Sequence, residues 1–351
     1  MLVPAISEVE WHPFSMSSAY GDLEASGYVS VHIRVQEPGS WTYRLKEYFR
    51  IIAGEVGGNS EDPFIANNLY HYDAAGEKQK GLNNGPDGLP LLRIDGPYAS
   101  PTQVYSNYRD IILVGSGIGL TPSASILRSV LRHKWKKGYY PETIRFCWIL
   151  RQNELDSFHW FIELLADLSA RVQSDRESGA LTELHYVELN IYVTGSKDLS
   201  SNRSNAHTPT GNAPGTLDRK TKKSAQQPGF SSANAIDPNT LRRMLLNPSV
   251  DAKDQGEVQM DGHRAPNRIQ DIWVWRGRPE WNTIFANTEA HILRRREAQG
   301  TVYETIKVRV ESEVGVCFCG APAIGNALKK NCVSYSKKHE EIKFTLNAEV
   351  F

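Results

Sequence analysis

Residues 111–122 read Ile-Ile-Leu-Val-Gly-Ser-Gly-Ile-Gly-Leu-Thr-Pro, an apolar run of strand length that breaks into alternating glycines and then into a helical pattern. Gly115, Gly117 and Gly119 carry no Cβ, so the backbone there can turn sharply and admit a phosphate group close to the amides that open the next helix. Thr121 is expected as N-cap and Pro122 as the first helical residue. The spacing is not the G-x-G-x-x-G of the dinucleotide fingerprint. The same glycines would also serve a tight strand-to-helix turn that holds no ligand.

Working outward, strand and helix alternate: strand near 111–114, helix from Pro122 to about His133, strand 143–150, helix from Ser157 to about Val172, and a further strand over Leu184 to Thr194. That order predicts a doubly wound α/β domain with a parallel sheet and right-handed crossovers. Gly315 to Cys319 supplies another strand that runs into a second small turn at Gly320-Ala321-Pro322, followed by a helix through Cys332. The chain finishes on an apolar–polar alternation over Ile342 to Leu346 and a terminal Phe351. Upstream, Val29 to Val35 alternates in the manner of a half-buried strand, with His32 and Arg34 on one face and the valines and Ile33 on the other. Strand, turn and strand are expected to dominate the first hundred residues. Residues 54–90 are rich in Gly, Asn, Asp and Pro and are expected to form a long loop or a partly disordered excursion, and residues 195–267 a mobile insertion with one short helix near Leu241 to Leu246. The basic cluster Arg219-Lys220-Lys222-Lys223 within that insertion could touch acidic lipid or a regulator but reads first as a solvated tail.

At 351 residues the chain is long enough for two domains, and 40 basic residues balance 40 acidic ones, so no global field favours nucleic acid or an anionic membrane. The apolar runs are too short to cross a bilayer, and this chain alone is expected to be soluble. Cys147, Cys317, Cys319 and Cys332 form no C-x-x-C pair and fit a reducing compartment. No histidine falls in a metal-binding spacing and no G-x-S-x-G is present, which argues against metal-assisted and serine hydrolysis; no metal site is expected.

His12-Pro13-Phe14-Ser15-Met16-Ser17 packs a fixed φ, an aromatic ring and two hydroxyls into one short segment that could line a planar heterocycle, although it would also suit an ordinary turn into a strand. Five blocks in order then resemble the C-terminal dehydrogenase region of the NADPH oxidases, within the ferredoxin reductase-like flavoenzymes. They are Trp11 to Ser15, Val31 to Arg34, Ile94-Asp95-Gly96-Pro97-Tyr98, Val114 to Pro122, and Gly315 to Pro322. Trp148 to Arg151 ahead of Phe158 to Phe161, and Gly277-Arg278-Pro279-Glu280-Trp281, add connecting matches. The versions carried here are most similar to the respiratory burst oxidases of plants and their algal relatives.

The resemblance implies an incomplete, antiparallel, flavin-binding β barrel over residues 1–105 and a ferredoxin reductase-like NADPH-binding domain over 106–351. It implies FAD and NADPH as cofactors and hydride transfer from the nicotinamide to the flavin. His12, Pro13, Phe14, Ser15, Ser17 and His32 would contact FAD, together with Gly96 and Pro97. Arg34, with Trp41 and Thr42 in the following turn, would hold the FAD pyrophosphate. Gly115, Ser116, Gly117, Ile118, Gly119, Thr121 and Pro122 would cradle the NADPH pyrophosphate. Arg151 and Arg278, beside Pro279, would take the adenosine 2′-phosphate, because a doubly charged phosphate favours planar, permanently charged forks. Cys319 and Gly320 would sit beside the nicotinamide, and Phe351 would cover the flavin. Ser15, Cys319 and Phe351 would therefore be the groups nearest the chemistry.

In the full-length family the electrons pass to a haem-bearing transmembrane domain and then to O2, yielding superoxide at a plasma membrane whose cytoplasmic face carries this region. Only ten residues precede Trp11. The opening barrel strands and the membrane part are missing, so the chain reads as a fragment, an incomplete gene model or a truncated isoform. A ferric-chelate or cytochrome reductase of the same superfamily, and an inert NADPH-binding fragment, are the alternative readings; no nucleic-acid partner is expected.

Overall fold

The computed structural model describes residues 1–19, 29–55, 91–132, 140–181, 185–195, 235–260, 266–303, 312–338 and 341–349. Seven strands lie in one sheet: Asp110–Ser116 (β1), Thr143–Arg151 (β2), Tyr186–Thr194 (β3), Arg268–Ile269 (β4), Ile272–Arg276 (β5), Ser312–Cys319 (β6) and Ile342–Glu349 (β7). Their order is β4-β5-β3-β2-β1-β6-β7, and every pairing is parallel except the short β4–β5 contact. The helices are Trp41–Glu55 (α1), Thr121–Arg132 (α2), His159–Glu177 (α3), Pro238–Leu246 (α4), Gln255–Met260 (α5), Trp281–Tyr303 (α6) and Pro322–Lys338 (α7).

Strands covered by helices on both faces are apolar almost throughout, and these follow that rule. Ile111, Leu113, Phe146, Trp148, Leu189 and Ile191 face the α2, α3 and α4 side, where Leu127, Phe161, Leu165 and Leu241 close a first core. Ile112, Val114, Cys147, Tyr192, Trp275, Val316 and Phe318 face the other way, against Ile284, Phe285 and Ile292 of α6 and Leu328 and Cys332 of α7. The expected doubly wound parallel sheet is therefore the core of the molecule. All four cysteines are free and buried. Among the described residues no helix is long and apolar enough to cross a membrane.

Three expectations need correction. First, no barrel forms among the described N-terminal residues: their strand-like contacts are the isolated bridges Leu2↔Arg93 and Met16↔Val31, and residues 29–35 form no strand. The alternation there is only partly kept. Val29, Val31 and Val35 are exposed at 43%, 38% and 42%, whereas Ile33 packs on the small cluster around Val3 and Trp41, and His32 stacks on Trp160 of α3 while Arg34 stays exposed. With a single bridge at Val31, packing on α1 and α3 rather than a neighbouring strand sets which side chains are covered. Second, Trp41 and Thr42 lie not in a turn but in the first turn of α1. Ser40 accepts the Tyr43 amide at 3.1 Å as N-cap, and Trp41, Leu45, Tyr48 and Phe49 form a helical stripe on Val3.

Third, the expected mobile stretch 195–267 contains ordered structure from residue 235 on, beyond the one short helix expected near Leu241 to Leu246. Asp237 accepts the Asn239 and Thr240 amides at 3.2 and 3.1 Å, Pro238 occupies the first turn of α4, and Leu241 and Leu245, four residues apart, enter the first core. Tyr192 donates to Gln255 of α5 at 2.8 Å. Residues 56–90 of the expected loop, residues 196–234 with the basic cluster, and Phe351 lie outside the described residues.

At the amino-terminal ends of the strands, two buried ion pairs fasten α6 to the sheet. Arg295 grips Asp110 through two parallel bonds of 2.7 and 2.6 Å, with Thr143 donating to the same carboxylate. Arg145 reaches Glu188 at 3.2 Å and the Ile284 carbonyl at 2.9 Å, and Asn190 links Glu188 to the Trp275 indole. Removing one member of such a pair leaves an uncompensated buried charge and costs about 3–5 kcal/mol. Arg295→Met should therefore lower urea-unfolding stability by about that amount, and Asp110→Val combined with Arg295→Met should recover most of it; a single substitution within about 0.5 kcal/mol of wild type would contradict the anchoring role.

Candidate nucleotide and hydride-transfer site

The strand order reverses between β1 and β6. From β1 the chain moves to β2, β3 and β5 on one side, and β6 and β7 return on the other. In open parallel sheets such a point leaves a crevice at the carboxyl ends of the two central strands, which is where ligands bind. Here those ends are Gly115-Ser116 and Cys319-Gly320, with Gly115 and Cys319 paired in register.

Two turns meet there backbone to backbone. A Cβ on Gly119 would lie 2.4 Å from the Cys319 carbonyl oxygen, and one on Gly320 (φ +150) would lie 2.6 Å from Cβ of Ser116. Neither position admits a side chain. Gly117, at the outer tip of the turn, has φ +56, and nothing lies within 4 Å of where its Cβ would be. The helical run begins at Gly117 as a 3-10 turn, and Thr121 is already helical. Its hydroxyl donates to the Ile118 carbonyl at 3.3 Å, so Thr121 is not the N-cap; the extended residue ahead of the run is Ser116. The first amides of a helical run have no partner within it and carry the positive end of its dipole. An open glycine tip over those amides, at the switch point of the sheet, fits a dinucleotide pyrophosphate.

Beside this turn Cys319 is buried, and burial, seconded by the charge of Glu349, pushes its thiol up to about 12. It is a neutral thiol at any physiological pH. Glu349 pairs with Cys319 in register on β7 and is itself buried. Thr102 donates to its Oε1 at 2.6 Å and Ser15 donates to its Oε2 at 3.4 Å. Ser15 and Cys319, far apart in sequence, thus flank one carboxylate. Glu349 escaped the sequence reading, and its signal was an acidic residue at a buried position near the end of an alternating strand.

The other expected flavin contacts are engaged within the protein. His12 stacks on Trp41 with ring centroids 4.3 Å apart, and Phe14 packs in the same small cluster. Ser17 is buried and bonds to Nδ1 of His32 at 2.7 Å. The His32 ring lies 3.5 Å from that of Trp160, and desolvation, seconded by Arg128, lowers its pKa to about 4, so it is neutral. Arg34 reaches Glu154 at 3.4 Å on the surface, Thr42 accepts the Gln36 amide at 3.0 Å, and Pro13, Gly96 and Pro97 are exposed. Of this group only Ser15 lies beside the turn that follows Cys319.

Arg151 ends β2 and Arg278 follows β5; both are exposed, whereas Pro279 is buried. They stand on the flank of the sheet away from Cys319. Among the described residues no group of acidic, histidine or cysteine side chains is placed to hold a metal ion.

The sheet, its switch point and the glycine seat define the class: a nicotinamide-nucleotide-binding α/β domain. Residues 108–333 match the ferric reductase NAD binding domain family, and the chain belongs to that family. It is 26% identical over 352 residues to a superoxide-generating NADPH oxidase heavy chain of Dictyostelium discoideum, covering 99% of this chain and 47% of the relative. It is 31% identical over 362 residues to the respiratory burst oxidase homolog protein D of Solanum tuberosum, covering 99% of this chain and 31% of the relative. NADPH oxidase 5 of Homo sapiens is 25% identical over 360 residues, with coverage of 95% and 36%. The chain thus spans less than half the length of each of these three relatives.

Because a methyl on Gly119 would collide with backbone rather than with a movable side chain, Gly119→Ala should force the two turns apart. We expect a lowered melting temperature and at least tenfold weaker NADPH binding, read by calorimetry. Unchanged affinity and melting would show that the contact between the turns does not build the site.

Proposed function

We propose that this chain is the dehydrogenase region of an NADPH oxidase-type enzyme: it binds NADPH across the β1 turn and delivers a hydride from it to FAD. The observation that carries this reading is the approach of Ser15 to Glu349, in register with Cys319. It brings the segment expected to meet the flavin to the turn expected to meet the nicotinamide. Residues 1–105 are assigned to the flavin side and 106–351 to the nucleotide side. When bound, NADPH supplies the hydride and FAD accepts it.

The residues here have to bind, orient and exclude water, since hydride transfer between two rings needs near-attack geometry more than acid–base chemistry. The amides after Gly117 receive the pyrophosphate. Gly320 lets the second turn close on Ser116 beneath the nicotinamide, and the neutral Cys319 thiol offers the ring a soft, uncharged face. Glu349, fixed by Thr102, orients Ser15: with its proton directed to the carboxylate, the Ser15 oxygen keeps lone pairs free to accept a bond from a ring N–H. Phe351, two residues beyond Glu349, is assigned to cover the ring until nicotinamide arrives. In the whole protein the acceptor beyond FAD is assigned to a haem-bearing transmembrane domain, with O2 reduced to superoxide and this region on the cytoplasmic face.

Arg151 and Arg278 are assigned to the 2′-phosphate that separates NADPH from NADH. Charge-assisted bonds of this kind contribute about 1.5–3 kcal/mol each, so Arg278→Glu should weaken NADPH at least tenfold and NADH little in side-by-side titrations. Equal losses for both nucleotides would remove Arg278 from the phosphate pocket and leave NADPH selection unexplained.

A further inference from the structure

Just beyond Ser15, the N-terminal segment is fastened to the two helices α2 and α3. Ser17 and Ser18 are buried, and the Ser125 hydroxyl of α2 donates to the Ser18 carbonyl at 2.8 Å. Ser17 shares a bond of 2.7 Å with Nδ1 of His32, whose ring lies 3.5 Å from that of Trp160 of α3 at an interplanar angle of 11°. The stretch that carries His32 is tied to the same place. The Ser17 amide donates to the Ser30 carbonyl at 2.8 Å, the Ser30 amide donates to the Ser18 hydroxyl at 2.9 Å, and Met16 bridges Val31. Trp160 is braced by Phe161 with ring centroids 5.4 Å apart, and Phe161 by Trp148 at 5.0 Å. Trp148 pairs in register with Gly115, so a chain of rings leads from the strand beside the glycine turn to His32.

The order of these contacts decides what they can do. Successive Cα atoms are about 3.8 Å apart, so Ser15 lies within about 8 Å of Ser17 and cannot move independently of it. Its own hold on β7 is the 3.4 Å bond to Glu349, which is long for a bond between oxygens and does not fix the segment alone. The firmer hold is at Ser17 and Ser18. His32 is neutral there, because burial lowers its pKa to about 4, so a flat uncharged ring meets the indole.

We propose that Trp160 is a positioning residue for the hydride transfer: by stacking on His32 it fixes, through Ser17, where Ser15 stands against Glu349 and Cys319. Trp160 belongs to a motif that carried no role in the sequence, and only the fold brings it to the N-terminal segment. The inference rests on the hydride-transfer reading above, whereas the joint itself is a property of the chain without cofactors.

Amide hydrogen exchange of the full chain, with no flavin added, reads the joint directly. Trp160→Leu, which keeps an apolar side chain but loses the flat ring, should speed exchange of the amides of residues 14–18 about fivefold and leave α6 and the turn around Gly117 as in wild type. Trp160→Phe, which keeps a ring, should stay within about twofold of wild type. Ser125→Ala removes the tie from α2 and should speed the same amides about threefold, which tests the joint even where the leucine variant folds poorly. With FAD and NADPH supplied, Trp160→Leu should slow flavin reduction at saturating NADPH about tenfold while NADPH affinity changes less than about twofold, and Trp160→Phe should recover most of the rate. Unchanged exchange of residues 14–18 in both Trp160→Leu and Ser125→Ala, or faster exchange spread over the whole sheet, would overturn the joint. Unchanged flavin reduction in a Trp160→Leu chain whose residues 14–18 have loosened would overturn the positioning role alone. A wild-type chain that passes no hydride from NADPH to FAD would overturn the hydride-transfer reading and the role of Trp160 with it, whatever the exchange shows.

Discussion

Everything at the carboxyl face depends on one steric constraint: the turn after β1 and the turn after β6 touch through their backbones. Gly119 lies against the Cys319 carbonyl and Gly320 against Ser116, at separations no side chain allows. That contact is made where the order of the strands reverses, so it closes the floor of the crevice and fixes the spacing between the first amides of the helical run and Cys319. The opposite end of the same strands is rigid for a different reason. Asp110, Thr143, Arg145 and Glu188 stand at or near the first residues of β1, β2 and β3, and α6 is tied to them through Arg295 and Thr288. The sheet thus holds its site against a buried charged anchor rather than against loops.

The sheet was legible because its strands are buried on both faces. Runs such as Ile111 to Val114 and Ile144 to Leu150 leave little room for another reading, and their extents in the structure differ by only a residue or two. β5 and α6 were passed over, although Ile272-Trp273-Val274-Trp275 is an apolar run and Ile284, Thr288, Ile292 and Arg295 fall on one helical stripe. The mixture of buried Arg295 with apolar neighbours hid that stripe, since the arginine is inside only because Asp110 is there to receive it.

The N-terminal region was less legible for a physical reason. A period of two in sequence says which residues share a face but not which face is covered, and coverage is decided by whatever packs beside the strand. At Val29 to Val35 the neighbours are α3 on one side and the Val3–Trp41 cluster on the other, so His32 and Ile33 are both covered while the valines stay out. Likewise Ser17 and His32 are ordinary hydrogen-bonding residues whose partners turned out to be each other. The candidate site divides along the same line. Its glycine turn was readable from local chemistry and Ser15 and Cys319 from the family resemblance, while Glu349 acquires meaning only from strand register.

Amide hydrogen exchange of the chain with and without NADPH tests the central claim most directly. Seating of the dinucleotide in the β1–β6 crevice should slow exchange in the turns around Gly117 to Thr121 and Gly320 to Ile324, while leaving α1 and the α6 anchor unchanged. Protection confined to other parts of the chain, or no protection of either turn at saturating NADPH, would contradict the account.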